Sequence, residues 1–258
     1  LKNYVFNGKD DLQIMREYLL SNFTFDQEID ILEIGCGTGR ASEVALDHFK
    51  KFKSFDLVDL STKMMRLAKQ KLNRDELNFI TEDSIKFMAD CTKKYDLVFS
   101  LWNLSHSIQP RAIQNGLSET AKYVKETLEK FCTTNLKDKG KIFIFHYDSL
   151  SEEQKILAKQ KRKFFDIFSK DSEQSYSKKL LDDTFFDLHR NRVVSVKTTH
   201  YLGDPIEYNS LDEALEIFMN FHLESEFNNL VNTNEIVEEI ENDLKLYEKD
   251  GKYLVAPG

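Results

Sequence analysis

At 258 residues the chain is long enough to bury one sizeable core, and 41% hydrophobic against 31% charged residues, with 9 Gly and 3 Pro, excludes wholesale disorder. A formal net charge of −8 argues against nucleic acid as a partner, because a grip on a long phosphate backbone draws most of its affinity from a basic surface. Cys36, Cys91 and Cys132 lie far apart without a CxxC pair, so neither a disulfide framework nor a zinc site is indicated, and a reducing cytoplasmic setting is expected.

Along the chain, residues 10–21 place Leu12, Met15, Leu19 and Leu20 near helical spacing behind two aspartates suited to a helix start. Ile29 to Ile34 is a compact apolar run ending in a glycine cluster, the pattern of a buried parallel strand meeting a tight turn. Residues 40–51 then read as helix. The alternation continues with strands at Phe55–Val58, Leu77–Ile80, Tyr95–Ser100 and Lys141–Phe145, and helices at Lys63–Leu72, Ser84–Asp90 and Arg111–Phe131. Strands separated by single helices imply right-handed crossovers and a parallel sheet. Residues 151–190 break the rhythm: they read as charged and helical, with Phe164, Phe165, Phe168, Phe185 and Phe186 as an apolar stripe suited either to core packing or to a cover over substrate. Val193–Tyr201 is the next strand candidate, followed by helices at 211–223 and 234–248 and a short strand at Lys252–Val255. The first residues carry no basic-then-apolar signal, and no apolar run reaches the about 18 residues that span a bilayer.

The segment Glu33-Ile34-Gly35-Cys36-Gly37-Thr38-Gly39 lies between strand and helix, where glycines allow positive φ and close approach of a ligand to the backbone. A dinucleotide site would need Gly-x-Gly-x-x-Gly, and Arg40 stands where the third glycine would be. DILEIGCGTGR resembles motif I of the class I S-adenosylmethionine-dependent methyltransferases, and the resemblance continues through LVDLSTKMMRLAKQKL, ITEDSIKFM and YDLVFSLWNLSH.

That resemblance implies a doubly wound α/β fold with a mostly parallel seven-stranded sheet, helices on both faces and a helical lid. S-adenosyl-L-methionine is the implied cofactor, with Glu33, Gly35, Cys36, Gly37 and Gly39 on its methionine and ribose side. Asp59 would accept the ribose hydroxyls, Leu60 and Met64 would flank the adenine, Asp83 and Ser84 would meet its amino end, and Ser100 would face the methionine end. Asp83 equally suits a cap on the helix beginning at Ser84, and Met64 ordinary core packing. The expected organisation is one methyltransferase domain over 1–258, with a cofactor-binding half at 1–149, a lid at 150–192 and C-terminal strands and substrate-side helices at 193–258.

In open α/β sheets ligands lie beyond the carboxyl ends of the strands, which puts residues 100–106 at the reacting end. The Asn-Pro-Pro-Tyr, Pro-Cys and paired-acid signatures of amine, cytosine and catechol methylation are missing there. A small-molecule N, O or C nucleophile is the expected substrate, with no membrane partner and no resident metal. His106 is the first candidate general base, and His146 and His200 the next, since a neutral imidazole can take a proton near pH 7. Trp102, Asn103, Tyr147 and Tyr201 are the candidate substrate contacts. A protein or tRNA methyltransferase, or a cofactor-binding partner subunit without turnover, are the competing readings.

Overall fold

The computed structural model describes residues 4–164, 175–219 and 233–258. These residues form two compact units: one comprises Asp11–His146 and Tyr176–Thr198, the other Leu1–Asp10, Tyr147–Ser175 and Thr199–Gly258.

In the larger unit α1 (Asp11–Asn22) precedes a regular alternation of β1 (Asp30–Ile34), α2 (Arg40–His48), β2 (Ser54–Asp59), α3 (Thr62–Leu72), β3 (Leu77–Thr81), α4 (Ser84–Asp90), β4 (Tyr95–Leu101), α5 (Leu104–Asn115), α6 (Leu117–Thr134) and β5 (Leu136–Phe145). The five strands pair in parallel in the order β3-β2-β1-β4-β5. Both faces of the sheet are covered, which is why its strands read as nearly continuous apolar runs. The period of two sorts their side chains. Ile31, Phe55, Leu57, Leu97 and Phe99 join Met15, Leu19, Val44 and Ala45 in one core, while Leu32, Ile34, Val58 and Val98 join Ile85, Ile108, Val124 and Leu128 in the other.

Two features depart from expectation here. The helix expected at Arg111–Phe131 is instead α5 and α6, parted at Gly116, whose φ of 86° ends the first. The seven-stranded sheet and its strand at Val193–Tyr201 are not found either: the described parallel sheet has five strands, and residues 193–201 run without sheet pairing. The alternating Val and Thr residues favour a strand, but the backbone is engaged elsewhere. The Val193 amide donates to the Leu188 carbonyl, and the Val196 amide to His189 Nδ1, so this stretch finishes α8 (Tyr176–Arg190). On α8 itself, Leu180, Leu181 and Phe185 pack into the second core, whereas Phe186 is exposed. Phe165 and Phe168 lie outside the described residues.

The smaller unit holds α7 (Glu152–Phe164), α9 (Leu211–Ile217), α10 (Thr233–Lys245) and a three-stranded antiparallel sheet of order β6-β8-β7, from β6 (Ile206–Tyr208), β7 (Glu248–Lys249) and β8 (Lys252–Val255). Ile236, Ile240 and Leu244 recur at helical spacing along α10 and meet Ile156, Leu157, Phe218 and Val255 in a separate core. No helix among the described residues is long and apolar enough to cross a membrane.

Candidate active site

The carboxyl ends of β1, β2 and β4 gather the glycine loop, Asp59 and the Trp102–Asn103 turn. The loop leaves β1 with the Gly35 and Cys36 amides both donating to the Val58 carbonyl, at 2.7 and 3.0 Å, and the Gly39 amide closes a turn on the Cys36 carbonyl at 2.8 Å. Gly35 and Gly37 both have positive φ, 75° and 53°, for different reasons. A Cβ on Gly35 would lie 2.0 Å from Asn103 Cγ, so this glycine exists to let the β4 turn come close. A Cβ on Gly37 would meet nothing within 4 Å; it would project into open space beside the loop, the room a ligand passing along the backbone would occupy.

Asp59 ends β2 and is buried. Its Oδ2 accepts the Gly37 amide and its Oδ1 the Ser61 amide, both at 2.8 Å, so the carboxylate shapes the loop that it flanks. Each oxygen keeps a further lone pair. Beside it Leu60 is 68% and Met64 38% exposed, leaving an apolar surface uncovered next to a carboxylate. Glu33 lies beneath the loop, fully buried, and accepts the Ser42 hydroxyl. Burial pushes its carboxyl up to about 8; the Ser42 bond opposes the rise and the Asp59 charge adds to it. Cys36 is buried with Sγ 3.4 Å from Met65 Sδ, and burial raises its thiol further, so it serves as packing under the loop.

Asp83 caps α4, Oδ1 accepting the Lys86 amide at 2.8 Å, and the same oxygen pairs with Arg111 at 2.9 Å. Arg111 in turn lies 4.6 Å over the Tyr123 ring. Ser84 and Ser107 both donate to Asn103 Oδ1, at 3.1 and 3.0 Å, which fixes the amide that abuts Gly35. Ser100 is buried on the face opposite Phe99, where with Ile34, Val98 and Leu128 it lines a small apolar void between sheet and helices.

Asp11, which the sequence did not single out, joins this edge of the sheet. Its buried carboxylate is held by both Arg40 Nη atoms, Nη1 to Oδ1 at 2.8 Å, and accepts the Trp102 indole N–H at 2.5 Å. Burial alone would raise this carboxyl, but the Arg40 and Trp102 bonds with the Leu12 amide outweigh it and hold it below the usual carboxylate range. Arg40 therefore points back to α1, which explains its place directly after the loop.

The other candidates divide between the two units. His106 is exposed on the first turn of α5. His146 is half-buried after β5, 4.0 Å from Asp182; burial, with Lys178 nearby, pushes its imidazole down to about 4. His200, Tyr147 and Tyr201 belong to the smaller unit, where His200 Nε2 meets Asp148 Oδ2 at 2.8 Å and the Tyr147 hydroxyl lies 2.9 Å from Ser175 Oγ. Among the described residues no group of three or more His, Cys, Asp or Glu is placed to hold a metal ion.

A five-stranded parallel sheet with a glycine loop after β1 and a carboxylate closing β2 defines the cofactor-binding part of a class I methyltransferase fold. Residues 31–127 match the family described as a methyltransferase domain. Two relatives are named malonyl-(acyl-carrier protein) O-methyltransferase. That of Ilyobacter polytropus is 43% identical over 76 residues, covering 29% of this chain and 28% of its own; that of Priestia megaterium is 42% identical over 82 residues, covering 32% and 28%. The chain thus spans less than a third of the length of these relatives. An S-adenosylmethionine-dependent methyltransferase of Clostridium acetobutylicum of known structure is 22% identical with a TM-score of 0.39, covering 54% of this chain and 50% of its own. Residues 31–127 are accordingly similar to a methyltransferase domain.

Proposed function

We propose that the chain is a cytoplasmic enzyme that transfers a methyl group from S-adenosylmethionine to a small-molecule N, O or C nucleophile. The observation that carries this reading is the open space at Gly37, whose amide is held by the Asp59 carboxylate, with the exposed Leu60 and Met64 following Asp59 in the chain. When bound, the cofactor supplies a methyl group already activated by a sulfonium, so alignment of the acceptor is the chain's main task. Asp59 keeps acceptor capacity for the ribose hydroxyls after binding two amides, Leu60 and Met64 offer the surface an adenine would cover, and Asp83, held by Arg111, is assigned to the adenine amino group. Gly35 and Asn103 bound the methionine end.

For proton removal, an imidazole held near 4 is a poor acceptor at neutral pH, which sets His146 behind His106 and His200. His106 is preferred because it follows Asn103 by less than one helical turn. The names of the curated relatives add one acceptor to test first, a malonyl group on an acyl carrier protein. Calorimetry with S-adenosylhomocysteine, followed by labelled methyl transfer to that acceptor and to a panel of small amines, acids and phenols, tests the reading. Saturable binding with transfer to one of them is expected, along with a lower kcat but unchanged cofactor affinity in His106→Ala. Absence of binding would overturn the cofactor site, and transfer to protein side chains or tRNA alone would overturn the small-molecule acceptor.

A further inference from the structure

We infer that Asp11 is a positioning residue for the methionine end of the cofactor, acting through Arg40 and Trp102 from outside the matched methyltransferase segment. The inference rests on the cofactor reading above. Asp11 begins α1, while its two partners flank the site from separate elements: Arg40 is the first residue after the glycine loop, and Trp102 the first after β4. One buried carboxylate therefore fixes the distance between the glycine loop and the β4 turn.

That distance is set tightly. Trp102 has a φ of 64°, a conformation that costs a bulky side chain energy and persists only where surroundings enforce it. Its amide donates to the Phe145 carbonyl at 2.7 Å, its ring stacks edge-on against Phe145, and its indole N–H is committed to Asp11. The turn so held delivers Asn103 against Gly35 in the space that any other residue's Cβ would claim. Releasing the indole lets Trp102 relax toward an ordinary φ and withdraws Asn103 from Gly35. Asp59, Leu60 and Met64 sit on the other side of the loop and make no bond to Asp11 among the described contacts, so the nucleoside end should be spared.

Two ligands separate the ends: S-adenosylhomocysteine, with the amino-acid tail, and 5′-methylthioadenosine, without it. Asp11→Asn keeps the shape but loses the charge on two charge-assisted partners, and is expected to weaken S-adenosylhomocysteine by about tenfold or more while changing methylthioadenosine by less than about twofold. Trp102→Phe, which keeps an aromatic ring beside Phe145 and removes the indole donor together with the rest of the bicycle, should shift the ratio of the two affinities in the same direction, by about threefold or more. It decides the matter if Asp11→Asn does not fold. An equal loss for both ligands, or an unchanged ratio in Trp102→Phe, overturns the inference. Failure of the wild-type chain to bind either ligand would instead refute the cofactor reading on which it stands.

Discussion

Two turns leave neighbouring strands at the carboxyl edge of the parallel sheet, and both pass through positive φ by opposite means. After β1 the chain uses Gly35 and Gly37, which adopt that conformation without steric cost. After β4 it uses Trp102, which adopts it only because Asp11, Phe145 and the packing around them hold it there. The first turn is flexible chemistry written locally; the second is a conformation imposed from a distance. The pair shows how one site can combine a backbone open to a ligand with a wall whose position is fixed by tertiary bonds.

The comparison breaks most visibly at the contact between the two turns. Gly35→Val places a branched side chain where Asn103 already sits and should cost about 3 kcal/mol or more of stability, from overpacking and positive-φ strain together. Denaturant unfolding measures it, and a second change, Asn103→Gly, which removes the Cβ that would lie 2.1 Å away, should restore part of the loss. Gly37→Val, two residues on, faces open space and should cost only about 1–2 kcal/mol in the same assay, as backbone strain, yet abolish S-adenosylhomocysteine binding. If the two variants lose equal stability, the glycines do not have separate roles.

A smaller effect is expected at Asp59. Asp59→Ala should weaken S-adenosylhomocysteine by about 1.5–3 kcal/mol in calorimetry. Because Asp59 also accepts the Gly37 amide, part of that loss comes from the loop, and Asp59→Asn should recover little, since the amide nitrogen cannot accept. Unchanged affinity in both variants would remove Asp59 from the site.

The mildest test concerns the ground under the glycine turn. Glu33 holds its proton to about 8 in the folded chain, whereas an exposed glutamate releases it near 4.5. Between those values the unfolded chain binds fewer protons, so stability should fall as pH rises, with a slope of up to about 1.4 kcal/mol per pH unit from this group. The contribution is fully present below 4.5 and gone above 8. Denaturant midpoints across that window should show the decline in the wild type and a flatter profile in Glu33→Gln; identical profiles would mean that Glu33 ionises freely.

What the sequence disclosed follows the range of the interactions involved. The five parallel strands and the glycine loop were legible because each depends on a short apolar run, a glycine spacing or a carboxylate at a strand end. The break at Gly116 was hidden by the apolar periodicity of α6, which runs straight on from α5 in the sequence. The strand expected at 193–201 failed because its backbone bonds go to the end of α8, a competition that side-chain pattern does not record. At the site, Arg40 was read only as the absence of a third glycine. Its partner Asp11 lies a strand and a helix away and carries no motif, so the clamp became visible only with the fold. Ser100 was counted toward the reacting edge, but the strand's alternation turns it into the void beside Val98.

The smaller unit is assembled from three stretches of chain, the first ten residues among them. The Tyr4 hydroxyl donates to Glu153 at 2.6 Å, the Asp204 amide donates to the Val5 carbonyl at 2.7 Å, and Phe6 bridges to Gly203. During synthesis this imposes an order. The five-stranded sheet can close once residue 145 has left the ribosome, while residues 4–10 must wait for residues beyond 200 before their own unit can form. Translation thus makes the whole parallel sheet before residues 4–10 can meet Gly203 and Asp204.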